Sequence, residues 1–223
     1  MRKVFEIGGL IAGLVLIVFG VVAIVMGVNG QSTVSSQLKQ QKIVGTADMT
    51  PAGIKAEVAK AGVKNAPIPS CTVANLPVNS GSRARCFAEY MVDHSLEATG
   101  GFYYSQMGIY TAKPGTPKAQ LMPGGGTDNT AYAAIDPTTK QPVQNGARNV
   151  WVTETALTTA LNASFMADQL SLFGIVVGVA LLLSGLGFTV LAIGGALRNP
   201  ENALNALLGA RGAKAPGAPV AAS

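Results

Sequence analysis

The chain has 223 residues, of which 48% are apolar and only 12% charged, and its formal net charge is +5. So much apolar surface on so few charges points to a membrane protein. The positive charge does not imply a nucleic-acid partner, because the stretch between the two apolar runs carries both signs nearly in balance.

In chain order, residues 1–6 form a short basic start, Met-Arg-Lys, followed by the uncharged run Ile7–Val28. A second uncharged run spans Leu172–Leu197, and each run is long enough for a hydrocarbon core of roughly 30 Å. A cleaved signal peptide is the competing reading of the first run. Its apolar stretch is longer than the usual ~7–15 residues and Val28-Asn-Gly-Gln31 lacks a small-x-small cleavage pattern, so the run is read as an uncleaved anchor. Arg2 and Lys3 precede the first span and Arg198 follows the second. The positive-inside rule then places both termini in the cytoplasm of a cell with a plasma membrane, and residues 29–171 outside. Glu6, in a first helical turn beside Lys3, reads as a carboxylate at the positive end of a helix dipole rather than a proton relay.

Small residues recur in both spans at spacings of four, seven and seven: Gly9, Gly13, Gly20 and Gly27 in the first, Gly174, Gly178, Gly185 and Ala192 in the second. Apolar burial cannot drive association in lipid, so a matched small-residue stripe predicts an antiparallel hairpin with closely approaching backbones. Residues 29–42 continue as a helical stalk, with Asn29-Gly30 as the expected interruption. Residues 153–171, with Leu157, Leu161, Phe165 and Met166, form the opposing stalk helix.

Between these arms, residues 43–152 are expected to form a small α+β extracytoplasmic domain. Thr50-Pro51 signals an N-cap followed by proline at the first helical position, with Ile54 and Val58 on the buried side and Gly62 as the stop. Ser82 is expected to cap a second helix that carries Cys86, Phe87, Tyr90, Met91 and His94 on one face and ends at Gly100-Gly101. Phe102–Thr111 is aromatic and β-branched enough to predict a strand, and Lys118–Met122, Ala131–Ile135 and Asn149–Val152 are weaker strand candidates. Residues 198–223 are read as a short cytoplasmic helix and a disordered Ala/Pro/Gly tail.

The chain has two cysteines and one histidine. Cys71 and Cys86 both fall in the outer segment, where an oxidising compartment favours a disulfide; closing a ~15-residue loop would stabilise by ~3 kcal/mol in the chain-entropy view. The rival is a metal site formed by the two cysteines and His94, which has no recognised ligand spacing. A lone histidine packed among aromatics is more often structural than catalytic, and neither a cofactor nor a metal is assigned. Tyr103, Tyr104 and Tyr110, with Phe102 and Tyr132 nearby, either line a ligand groove or form core. Pro123-Gly-Gly-Gly-Thr-Asp128 lacks the Gly-Lys-Ser/Thr ending of a phosphate-binding loop and reads as flexible. Asn162-Ala-Ser164 matches a glycosylation sequon only formally.

Four motifs go further: Met-Arg-Lys-Val-Phe-Glu-Ile-Gly-Gly at 1–9, Ile-Val-Gly-Thr-Ala-Asp-Met-Thr-Pro at 43–51, Arg-Ala-Arg-Cys-Phe-Ala-Glu-Tyr-Met at 83–91, and Asn-Val-Trp-Val-Thr-Glu-Thr-Ala-Leu-Thr-Thr-Ala-Leu-Asn at 149–162. Across nearly the whole chain except its tail, the sequence resembles an actinobacterial family of two-span membrane proteins. Members often carry the label "aromatic ring-opening dioxygenase", after protocatechuate-type enzymes whose iron is held by two histidines and a glutamate. A chain with a single histidine departs from that pattern, which makes the label a misnomer. The expectation is therefore a non-enzymatic accessory or scaffold subunit embedded in the lipid bilayer, with a membrane or cell-envelope protein as partner and no nucleic acid. A module binding lipid, glycan or a small ligand is the alternative, and an enzyme ranks third.

Overall fold

The computed structural model describes residues 2–194. The expected cytoplasmic helix and tail at 198–223 lie outside the described residues. Four α-helices are present in that range: α1 (Arg2–Gln40), α2 (Pro51–Lys60), α3 (Gly81–Ala98) and α4 (Gly146–Ile193). Two compact units divide the chain, one built from the first 29 residues and those from 171 onward, the other from residues 30–170.

In the first unit, α1 and α4 each contribute a stretch long and apolar enough to cross a membrane. Neither span contains proline, and a helix satisfies its own backbone groups, as a lipid environment demands. Gly13, Gly20 and Gly27 of α1 and Gly178, Gly185 and Ala192 of α4 are buried. The approach is reciprocal. A Cβ built on Gly20 would lie 2.7 Å from the Gly178 carbonyl oxygen, and one on Gly178 would lie 2.7 Å from that of Gly20. Likewise a Cβ on Gly185 would lie 2.6 Å from the Gly13 carbonyl, and one on Gly27 would lie 2.6 Å from that of Ser171. These pairs run antiparallel. Gly174 stands apart from them, its nearest cross-helix neighbour being the Ala23 carbonyl at 3.8 Å, so Ser171 takes the place opposite Gly27. Gly9 is only half-buried.

α1 passes Asn29-Gly30 without the expected interruption. It ends where Lys42 adopts a positive φ of 54°, with its N–H bonded back to the Lys39 carbonyl at 3.2 Å. Within residues 30–170, Leu38 of α1 and Leu161 of α4 are core residues, packed with Tyr90, Phe87, Val78 and Ile54. Ser35 also donates to the Asn79 carbonyl at 3.0 Å. The two arms thus belong to the domain's hydrophobic core instead of standing beneath it.

α2 begins as its sequence suggests: the Thr50 side chain accepts from the Gly53 N–H, Pro51 opens the helix, and Ile54 and Val58 are buried. Gly62 follows the end with φ +74°. α3 starts earlier than expected, since Ser80 and not Ser82 is the N-cap, accepting from the Arg83 N–H at 3.4 Å. It ends at Gly100-Gly101, where the Gly101 N–H reaches back to the Leu96 carbonyl at 2.7 Å. Both glycines have positive φ, a conformation that side chains resist.

The expected sheet is replaced. Among the described residues no strand forms, and Tyr110, Ala112 and Ile135 take part only in isolated antiparallel bridges, to Thr127 and Gln144, Ala133, and Pro142 respectively. Tyr104–Gln106, Lys118–Gln120 and Thr130–Tyr132 are single 3₁₀ turns. Pro114, Pro117, Pro123, Pro137 and Pro142 each lack an N–H and break up the segments around the candidate strands. Asn149–Val152, another expected strand, lies in the first turns of α4. Asn145 caps that helix by accepting from the Ala147 N–H at 3.1 Å while its amide donates to the Gly108 carbonyl at 2.9 Å. Trp151 then joins Leu96 and Met107 in a second small core.

Candidate functional site

Cys71 and Cys86 are disulfide-bonded, with Cα atoms 6.1 Å apart. The bridge fastens α3 to the loop before it, and the Tyr90 hydroxyl, one turn on from Cys86, donates to the Cys71 carbonyl at 2.6 Å. Both sulfurs are thereby committed, so they do not join His94 as metal ligands. One further turn along α3, His94 meets a set of carboxylates that the sequence does not place together.

That set comes from three elements. Asp48 lies in the turn before α2, Glu57 in α2, and Glu97 three residues after His94 in α3. His94 Nε2 is 3.0 Å from Asp48 Oδ2. Its Nδ1 lies 3.8 Å from Glu97 Oε2 and 4.0 Å from Glu57 Oε2. The turn is held by the Met49 carbonyl, which accepts from the Val73 N–H at 3.2 Å and the Thr72 hydroxyl at 3.1 Å. Gly53 is required there, because any Cβ at that position would strike the Asp48 carbonyl.

The electrostatics follow from this crowding. Burial pushes the Asp48 carboxyl up, but hydrogen bonds from Thr46 and from its own backbone, with His94 beside it, hold it below the ordinary carboxylate range. Glu57 is raised, first by burial and then by the neighbouring Asp48 and Glu97 charges, with His94 opposing. Asp93, adjacent in sequence but fully buried, has neither carboxylate oxygen hydrogen-bonded, and burial pushes it up to about 6 against the opposing effect of His94.

The three tyrosines, read as lining a groove or forming core, have different neighbours. Tyr103 rests against Trp151, with ring centroids 5.2 Å apart. Tyr104 carries the Arg148 guanidinium 4.1 Å above its ring. Tyr110 is tied by its backbone to Thr127 at 3.0 Å. Tyr104 does line an open hollow of about 560 Å³ with Trp151, Val152, Thr155, Ala156 and Thr159, which neither Tyr103 nor Tyr110 enters. Trp151 is the residue that sequence reasoning undervalued here. Its indole N–H donates to the Phe102 carbonyl at 2.9 Å, and the side chain both joins the second core and lines the hollow.

Comparison with protein-family models, with curated proteins and with solved structures finds no match. The chemistry must therefore be read from these side chains alone. The signal of the carboxylate–imidazole set in the sequence was slight, limited to His94 and Glu97 standing one turn apart on α3.

Proposed function

We propose that the protein is a non-enzymatic, membrane-anchored accessory or scaffold subunit, which presents its disulfide-fastened domain to a membrane or cell-envelope complex. The observation that carries this reading is that Leu38 and Leu161, each on a long apolar helix, are core residues of that domain. A domain folded onto the extensions of its own anchors is suited to holding position beside a partner. Within the two-helix unit, Phe5, Leu14, Phe173 and Leu183 are at least 60% exposed, the arrangement expected of side chains facing lipid. Basic residues at Arg2, Lys3 and Arg198 put both termini in the cytoplasm, and the disulfide suits an oxidising outer compartment for residues 29–171.

Two measurements test this. A cysteine introduced at Lys118 should react with a membrane-impermeant maleimide in intact cells, and labelling only after lysis would reverse the topology. Purification from native membranes in mild detergent should recover the chain with a stoichiometric partner. Recovery solely as a free monomer would sink the scaffold role.

A second reading, a module that binds a lipid, glycan or small ligand, draws on the hollow beside Tyr104 and Trp151. It requires that Trp151→Ala abolish ligand binding while leaving partner recovery intact.

A further inference from the structure

We propose that Asp48, Glu57 and His94 hold a divalent transition-metal cation of the zinc class, with Glu97 supporting the imidazole. One donor atom from each of the first three residues lies within 4.8 Å of the others. Three separate elements supply them, so the grouping is a product of the fold and not of local sequence.

The contact at the centre of the group is what calls for a cation. Asp48 Oδ2 and His94 Nε2 face each other at 3.0 Å, both atoms are sealed from solvent, and neither has a hydrogen-bond partner. A positive charge must be shared between two atoms this close, either a proton on the ring or a metal ion, and because the pair is not aligned as a hydrogen bond the metal fits it better. With the ring proton on Nδ1, Nε2 is free to bind a metal, and the Glu97 carboxylate lies on the Nδ1 side at 3.8 Å. A carboxylate on the far nitrogen of a ligating histidine is the usual way its tautomer is fixed.

Charge and size point the same way. Three carboxylates surround one imidazole, and among the described residues their ion pairs are with His94 alone. Zinc binds nitrogen and oxygen at about 2.0–2.2 Å, which sets neighbouring ligands roughly 3 Å apart, so the Asp48–His94 edge already fits. Glu57, whose side chain is 38% exposed, needs only a rotamer change to close the third edge. An imidazole among the ligands selects zinc over magnesium, calcium or manganese, which favour oxygen shells. The bound ion would pin the turn at residues 46–50 to α3 two helical turns beyond Cys86, leaving its exposed side open to water or to a ligand from a partner.

The test uses the full chain, tag removed and chelator-stripped, in mild detergent. Zinc chloride, manganese chloride and magnesium chloride are titrated separately while metal uptake and thermal midpoint are followed. The expected result is one zinc per chain with a raised midpoint, weaker binding of manganese and none of magnesium. His94→Gln and Asp48→Asn should each weaken zinc binding about tenfold or more, and Glu97→Gln by a smaller factor. Glu89→Gln, which removes the charge from the exposed pair with Arg85 on the same helix, should leave zinc binding unchanged. If the two central variants fail to form the Cys71–Cys86 disulfide, Glu57→Gln on the exposed face of α2 carries the decision. The proposal is overturned if zinc leaves the midpoint unmoved, if these variants bind zinc as the parent does, or if magnesium binds equally well.

Discussion

In the unit built from the two chain ends, the buried positions are Gly13, Gly20, Gly27, Gly178, Gly185 and Ala192, while Phe5, Leu14, Phe173 and Leu183 point outward. In residues 30–170 the order is reversed: Tyr90, Met49, Ile54, Leu96 and Met107 are almost completely buried. The same chain therefore uses size in opposite senses. Where large apolar groups gain nothing by leaving the surrounding medium, close approach of backbones is what remains to hold helices together, and the smallest residues go inside. Where water is the solvent, removing large apolar side chains from it is the main driving force, and the largest go inside.

The sharpest way to break this contrast is to truncate one large aromatic in each unit. Tyr90→Ala leaves a cavity in the domain core and removes the hydrogen bond to the Cys71 carbonyl, so a loss of ~4 kcal/mol is expected. Phe173→Ala, at a position 64% exposed, should change the thermal midpoint in detergent little. A comparable loss at Phe173 would mean that its ring is not facing lipid.

Adding size tests the other side. Gly20→Val drives a side chain into the Gly178 carbonyl and Leu182, at a cost of about 1–3 kcal/mol or complete separation of the helices. Gly187→Val, with nothing within 4 Å of its Cβ, should be tolerated in the same heat-denaturation assay. Equal damage from both substitutions would remove the glycine stripe from the argument.

Asp93 probes the domain interior. Its folded-state value of about 6 stands above the ordinary 3.8, so the folded chain holds this proton more tightly than the unfolded chain does. The associated stability is fully present below pH 3.8 and is lost as pH rises through about 6. Asp93→Asn should therefore stabilise the protein at pH 7.5 by on the order of 2 kcal/mol and remove the loss of stability that accompanies the rise in pH through about 6, measured with chelator present. A variant whose pH profile matches the parent's would show that Asp93 finds a partner in solution.

The smallest expected effect is local. Thr50→Ala removes the cap that accepts from the Gly53 N–H and should cost ~1 kcal/mol, read as a lower denaturation midpoint of the domain with no change in the packing of Gly20 against Gly178. Because Thr50 lies two residues from Asp48, the loss should be partly recovered by zinc.

Much of the architecture is written in local chemistry. The two uncharged runs follow from composition alone, since a span is defined by length and the absence of charge. The capped start of α2 follows from Thr50-Pro51, and the end of α3 from Gly100-Gly101, because cap and stop signals act over a few residues. The strands expected at residues 102–135 did not form: aromatic and β-branched content at Phe102–Thr111 suggested a ladder, but its pairing is limited to isolated bridges between segments interrupted by Pro114, Pro117 and Pro123. Asn145 was missed as the cap of α4, and with it the helical start that brings Trp151 into the core.

By itself, then, the sequence determined the two long apolar runs, the glycine spacing, the capped start of α2 and the presence of two cysteines in one segment, all properties of neighbouring residues or of periodicity. Only the tertiary structure decided that Gly27 faces Ser171 while Gly174 stands off, that the helical arms enter the domain core, that Tyr104 lines a hollow with Trp151, and that Asp48 and Glu57 meet His94. Each of those depends on contacts between elements far apart in the chain, and such contacts are set by how whole faces pack rather than by any spacing a single stretch can carry.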